Sequence, residues 1–463
     1  MFLDGSLKTP GGERPVHDRW TGRALGAMPL DSAEDVDGAV RAVAARRRVL
    51  PAADRAAILV RCADALTARA GEFAELITGE AGVCLRETTR EVGRAAANLR
   101  VAAAEAERVR GESIPVPGHA RLAVTVPEPV GVVAAITPFN RPLNQVVVKL
   151  APAIAAGCAV VLKPSEKTPL TALAFAEILV AAGFPAEMLA VVTGEPGVVG
   201  PALAGHPLVD MVTFTGSVAA GRKVAAAAAG RKVLLELGGN DPLIVLADAD
   251  LAKAAQLAAD GSFATAGQSC RGIKRILVQD SVADAFIPLL VAAARTKTFG
   301  DPHDPATDVG PLVDEAAAIE VAARVDAAVD AGAQLLLGGT RTGALVRPTV
   351  LDRVPADATL VTRETFGPVA PVIRVQDADE AVAVANSTPY GLQSGVLTRD
   401  TELFWRIAAR LRVGAVNLGE GPQFDSPHIP FGGVKASGVG REGMRYAIGE
   451  MSVVKTITVP YGD

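Results

Sequence analysis

Two short strings hold the residue types from which covalent catalysis is built. Glu236-Leu237-Gly238-Gly239 supplies a carboxylate and Gly267-Gln268-Ser269-Cys270 a thiol, each beside glycines that let the backbone crowd close to a ligand. A cysteine nucleophile with a separate carboxylate base forms a thioester and then hydrolyses it. The plain alternatives are a buried inert thiol, the commonest fate of a free cysteine, and a solvated glutamate at a strand end. The glycines weigh against both. Cys62 and Cys84 fall on predicted helices and Cys158 abuts a predicted strand, so these three read as core. The five histidines show no metal-ligand spacing, and only His428 stands near a motif that can line a pocket. Gly438-Val439-Gly440-Arg441-Glu442-Gly443 fits GxGxxG, but it follows loop residues rather than opening a βαβ unit. It reads as a turn and helix start.

The elements that must position these groups are those of a large α/β protein. With 463 residues the length allows two to three domains. The net charge of −5, from 46 basic against 51 acidic residues, gives no basic field for nucleic acid or an anionic membrane. No apolar run reaches the roughly 18 residues of a membrane span, and no signal peptide is expected at the N-terminus. Four cysteines without CxxC spacing point to a reduced, cytoplasmic enzyme.

Residues 31–110 read as three helices: one capped by Asp31-Ser32, one opened by Pro51 and Asp54, and one over Thr89–Val109. From residue 130 five apolar runs alternate with helices. They are Val130–Ile136, Ala159–Leu162, Met188–Val192, Met211–Phe214 and Val233–Leu235. That alternation predicts a parallel, doubly wound sheet, the usual home of a dinucleotide. A second α/β series begins at Pro242–Leu246 and Arg275–Val278, and Cys270 belongs to it. Residues 111–129 and the tail 452–459 read as extended segments outside both sheets, the tail as an edge strand.

Seven motifs in order make the chain resemble the NAD(P)-dependent aldehyde dehydrogenases from end to end. They are Thr137-Pro138-Phe139-Asn140, Lys163-Pro164-Ser165-Glu166, Phe214-Thr215-Gly216-Ser217, the Glu236 and Cys270 strings, Glu364-Thr365-Phe366-Gly367-Pro368 and Pro430-Phe431-Gly432-Gly433. The resemblance implies a Rossmann-like cofactor domain over 1–111 and 131–236, an α/β catalytic domain over 237–447, and a small β bridging element from 112–130 and 448–463. In the family the bridging strands pair with a neighbouring subunit, so a homodimer or homotetramer is expected.

The resemblance assigns Cys270 as nucleophile, Glu236 as the base that activates water, and Asn140 as the amide that stabilises the oxyanion with the Cys270 N–H. A base for water argues against the acylating branch that uses coenzyme A. Thr137, Pro138, Lys163, Ser165, Glu166, Thr215, Gly216, Ser217, Leu237, Gly238, Glu364 and Phe366 correspond to the cofactor site. Gly197 and Gly200 are added as places of close cofactor approach. Glu166 accepts from a free 2′-hydroxyl and repels a 2′-phosphate, which favours NAD, although NADP is compatible with this string.

Around the motifs, the chain looks most like the branch handling phosphonate and phosphate aldehydes. Ser269 stands where glyceraldehyde-phosphate enzymes often carry arginine, and Arg141 where phosphonoacetaldehyde enzymes tend to have histidine. Arg141, Arg271 and helical Arg100 remain as candidate partners of a short anionic aldehyde, because guanidinium forks bind such oxygens bidentately. The alternative is that each arginine pairs with a local carboxylate. A carboxylate semialdehyde or small neutral aldehyde is the runner-up substrate, and a non-catalytic dinucleotide-binding or structural protein the reading from another class. The nucleophile and base make two expectations. Cys270→Ala abolishes oxidation of every aldehyde while cofactor binding survives. Glu236→Gln gives a burst of reduced cofactor at 340 nm and then stalls as the acyl-enzyme. Sustained turnover in either variant removes that residue from its role.

Overall fold

A computed structural model describes residues 1–9 and 11–461. Position 10 of the expected cofactor domain and positions 462–463 of the bridging tail lie outside them.

Four helices, not three, cover 33–106. Ser32 caps Ala33–Arg46 through a reciprocal box with Asp35, and Ala52–Ala68 follows Pro51. Ala70–Ala81 was not expected. It starts without a side-chain cap, ends on left-handed Gly82 (φ +72°), and buries Phe73 and Ile77. Leu85–Ala106 begins four residues before the expected Thr89.

The five apolar runs form parallel strands in the order Leu189–Val191, Ala159–Lys163, Val132–Ile136, Met211–Thr215, Lys232–Glu236. Chain order reverses between Val132–Ile136 and Met211–Thr215, which opens a crevice at their carboxyl ends, where ligands of doubly wound sheets bind. The loops leaving that crevice are Thr137–Asn140 and Gly216–Ser217.

After Glu236 the chain enters a seven-stranded sheet with Pro242–Val245 and Arg275–Gln279 at its centre. The loops holding Gly238–Asp241 and Cys270 precede these strands, so the second sheet presents its amino edge to the carboxyl edge of the first. The return crossing comes before residue 447. Gly438–Val439 pairs antiparallel with Leu235 and Glu236, and Met444, Ile448 and Met451 join the first core. The GxGxxG string is thus a short edge strand, a turn and the approach to the helix Met444–Glu450.

Arg121–Pro129 and Ser452–Pro460 pair antiparallel along their whole length, from Pro129↔Ser452 to Arg121↔Pro460. The outer edge of the tail strand has no partner among the described residues, and Val454 and Val459 are exposed on it. Among those residues no helix is long and apolar enough to cross a membrane.

Candidate active site

Two cavities, of about 680 and 820 Å3, meet at Asn140, Gln145 and Cys270. The larger lies over the crevice and is lined by Thr215, Gly216, Ser217, Leu237, Glu364 and Phe366, among others. The smaller opens on the other side of Cys270.

Each reacting group is delivered by the end of an element. Glu236 is the last residue of its strand, paired with Thr215 and Gly438. Its carboxyl is buried and neither oxygen has a hydrogen-bond partner. Burial raises its pKa well above the ordinary carboxyl range, and the charge of Glu442 raises it further, against Lys149 and Arg441. Gly432 leaves room for it, since a Cβ there would sit 2.6 Å from Glu236 Oε1. Lys149 and Glu442 form a buried ion pair (Nζ–Oε1 2.7 Å), and Lys149 also donates to Thr213 Oγ1 at 3.2 Å. Sequence reasoning missed this pair, whose members lie nearly three hundred residues apart.

Asn140 Nδ2 donates to Gln268 O at 2.9 Å, leaving its second N–H to face the cavities. The Cys270 N–H donates to no carbonyl among the described residues. Burial, with the charges of Glu364, Asp241 and Glu236, pushes the Cys270 thiol up to about 12, against the neighbouring Arg271. Cys62, Cys84 and Cys158 are buried in the core. The turn before Cys270 is strained: Thr265 and Ala266 take φ of 56° and 52° and Gly267 71°. Left-handed backbone costs a side-chain-bearing residue roughly 1–2 kcal/mol.

The residues of the larger cavity fit a dinucleotide. Ser217 caps Val218–Ala227, accepting from Ala220 N, so that helix's N-terminal amides face the crevice, and buried Thr215 Oγ1 has no partner. Glu364 accepts from Gly239 N at 3.0 Å, and burial pushes its carboxyl up to about 7. Gly238 serves Glu364 directly, because a Cβ there would collide with that carboxyl. Phe366 stacks edge-on against Phe139 with 6.3 Å between centroids. Further along the crevice edge, buried Lys163 donates to Pro164 O at 3.1 Å and lies within reach of the charges of Glu166 and Glu195. Ser165 Oγ accepts from Lys167 N. A Cβ at Gly197 or Gly200 would meet nothing within 4 Å. Thr137 N donates to Lys163 O, joining the two loops, and Pro138 lines the cavity.

The smaller cavity holds Arg141 and Arg271 but not Arg100 or His428. Arg100 is paired with Asp64 on an exposed surface (2.8 Å). Arg94, on the same helix, lines the cavity instead with Glu87 and Asn98; Arg100 is rotated about 240° from it. His428 is exposed. Arg271 pairs with Asp425 (2.5 Å) and lies 5.8 Å over the Phe431 ring, while Arg94 reaches the same Asp425 at 3.5 Å. Arg141 meets Glu87 at 3.4 Å and Thr265 Oγ1 at 2.6 Å. The local-carboxylate alternative thus describes the arginines as they stand. Among the described residues no cluster of metal ligands occurs.

The profile of the aldehyde dehydrogenase family matches residues 8–457. A 3-sulfolactaldehyde dehydrogenase from Priestia aryabhattai is 40% identical over 464 residues, covering 99% of this chain and 97% of that protein. A lactaldehyde dehydrogenase from Methanocaldococcus jannaschii is 39% identical over 466 residues, covering 99% and 100%. The crystal structure of the same organism's glyceraldehyde-3-phosphate dehydrogenase GapN with NADP superposes with a TM-score of 0.95 at 39% identity, covering 97% and 100%.

The charges around Glu236 fix the sign of one pH effect. In its expected role as base Glu236 must be deprotonated to act, so the acidic limb of kcat/KM is expected to follow its pKa. Glu442→Gln removes a neighbouring negative charge and moves that limb to lower pH; Lys149→Met removes the opposing positive charge and moves it higher. Profiles of both variants check this, and shifts in the same direction refute it.

Proposed function

The chain belongs to the aldehyde dehydrogenase family, and from that premise we propose that its substrate is a short aldehyde carrying a monoanionic, tetrahedral group such as a sulfonate. The reaction is the NAD(P)-dependent oxidation of an aldehyde to the carboxylic acid. In the reading proposed here Cys270 loses its thiol proton to solvent as Sγ bonds the carbonyl carbon, while the free N–H of Asn140 and the Cys270 N–H receive the charge that develops on oxygen. The chemistry a bound nicotinamide supplies is acceptance of the hydride from that carbon. Glu236 then takes a proton from the water that releases the acid and restores the thiol. Its dry, unpartnered carboxyl suits a group that must hold a proton for part of the cycle.

The observation that carries the substrate class is the arginine cluster. Four guanidinium groups, Arg90, Arg94, Arg141 and Arg271, line the cavity and share two carboxylates, Glu87 and Asp425, so the guanidinium groups stand in excess beside the nucleophile. The buried Glu91 is engaged elsewhere, accepting from the N–H groups of Leu143 and Asn144 at the next helix start. That excess suits an anionic substrate, and the sulfonate reading is preferred to the phosphonate one because the 3-sulfolactaldehyde dehydrogenase is 40% identical over 99% of this chain. By their names, the sulfolactaldehyde relative takes a three-carbon 2-hydroxyaldehyde with a monoanionic sulfonate, the glyceraldehyde-3-phosphate relative the same skeleton with a more highly charged phosphate, and the lactaldehyde relative the skeleton without an anion.

For the cofactor, Glu166 and Glu195 beside Lys163 disfavour a 2′-phosphate and support NAD, although the GapN neighbour was solved with NADP. The unpaired apolar edge of Ser452–Pro460 supports a homo-oligomer.

Kinetics across sulfonate, phosphonate, carboxylate and neutral aldehydes of equal length, with both cofactors, test this reading. Arg94 is the clean probe, because its guanidinium makes only the long contact with Asp425. Arg94→Gln is expected to raise KM for the sulfonate about 10- to 100-fold, the worth of a charge-assisted hydrogen bond of roughly 1.5–3 kcal/mol. The neutral aldehyde should change little. Preference for the neutral aldehyde, or equal losses on both, overturns the anion pocket.

A further inference from the structure

The three consecutive left-handed residues before Cys270 are gripped from two sides. Asn140 and Arg141, adjacent in sequence, hold the turn at both shoulders: Asn140 Nδ2 on Gln268 O (2.9 Å) and the Arg141 guanidinium on Thr265 Oγ1 (2.6 Å). Arg141 is itself steadied by Glu87 and stands at the start of Pro142–Ala156, whose first amides are fixed by Glu91. From the opposite side the buried Lys274 ammonium donates to Gly267 O and lies 5.1 Å over the Phe366 ring. Gly267 has no room for a side chain, since a Cβ there would collide with the Gly367 carbonyl. Thr265 is 3% exposed, so its hydroxyl has no exchange with bulk water to replace Arg141.

We propose that Arg141 and Lys274 are positioning residues that hold the left-handed turn Thr265–Gly267 closed and so fix where Cys270 Sγ stands between the two cavities. Threonine and alanine do not choose this backbone; a turn made of them keeps its shape only while outside partners hold it. If the hold on Thr265 is released, the turn relaxes toward ordinary φ and the residues that follow it, including Cys270, move. This gives Arg141 a task independent of any charge on the substrate, in contrast to its expected role as an anion contact. The proposal rests on Cys270 as the nucleophile and needs neither the sulfonate reading nor a particular cofactor.

The test isolates the hydrogen bond. Thr265→Ser keeps the hydroxyl that accepts from Arg141, whereas Thr265→Gly removes it and, because glycine visits positive and negative φ about equally, leaves the turn unpinned. Both relieve crowding, so neither should fail to fold, and thermal melts confirm this. Arg141→Met and Lys274→Met test the other partners. Each variant is assayed with a small neutral aldehyde, and the alkylation of Cys270 by neutral iodoacetamide is followed against pH by intact mass, with Cys270→Ala as the blank. Thr265→Gly and Arg141→Met are expected to lose about 10- to 100-fold in kcat, as for a reacting group displaced by about 1 Å, with KM for the neutral aldehyde little changed. Their alkylation profiles should shift, and Lys274→Met should follow them. Thr265→Ser should behave as the wild type. Equal activity of the Ser and Gly variants, whether both high or both low, overturns the proposal. So does an Arg141→Met enzyme that keeps kcat and loses only KM for an anionic substrate, which makes Arg141 an anion contact. If Cys270→Ala stays active, the nucleophile assignment itself fails, an outcome distinct from failure of the clamp.

Discussion

The site depends on keeping a thiol and several carboxyls together out of water. Desolvation is the largest influence on Cys270, Glu236, Glu364 and Asp241 alike, and in each it favours the uncharged form. Four groups that would repel one another as anions share a seam in which burial disfavours the charged form of each. The seam arises where the carboxyl edge of one parallel sheet meets the amino edge of another, and the chain crosses between them directly from Glu236 to Pro242. An edge of either sheet alone would be wet. Their apposition supplies the dryness, and with it the upward shift of both the carboxyl and the thiol.

The same crowding explains the glycines. Beside the catalytic strings they read as room for a ligand to approach, and at Gly197 and Gly200 the space is indeed open. At Gly238, Gly239 and Gly432 the missing side chain leaves room for the protein's own atoms: the Glu364 carboxyl, the Cys270 carbonyl and the Glu236 carboxyl. A composition signal for close approach was legible; the approaching group was not, because it comes from another part of the chain.

What the sequence displayed was what repeats locally. The five parallel strands of the eight-stranded first sheet are largely buried and read as unbroken apolar runs, within two residues of their observed bounds. The helix Ala70–Ala81 escaped because it follows its predecessor without a capping side chain or a breaker. Arg100 was named and Arg94 missed because a helix pattern gives a period, not which stripe faces a cavity. The Lys149–Glu442 pair and the Arg141–Thr265 bond join distant segments and have no local signature. Nor does Thr265-Ala266 announce a left-handed turn, since neither residue favours one.

Cys270 stands between two structures that govern different quantities. On the substrate side, Arg94 and Arg271 share Asp425, so the charge offered to a ligand is what remains after internal pairing. Such an arrangement avoids burying bare guanidinium groups, which would be costly, and it makes preference sensitive to a single exchange at the rim. On the other side, the turn from Thr265 to Gly267 is held by Asn140, Lys274 and Arg141, of which only Arg141 also belongs to the arginine cluster. Under the proposed reading, charge at the rim sets which aldehyde is preferred, and the turn sets where the thiol stands. Arg141 is the exception that belongs to both, bound to Glu87 at the rim and to Thr265 beneath the nucleophile. A substitution there is the one place where selectivity and turnover cannot be changed independently.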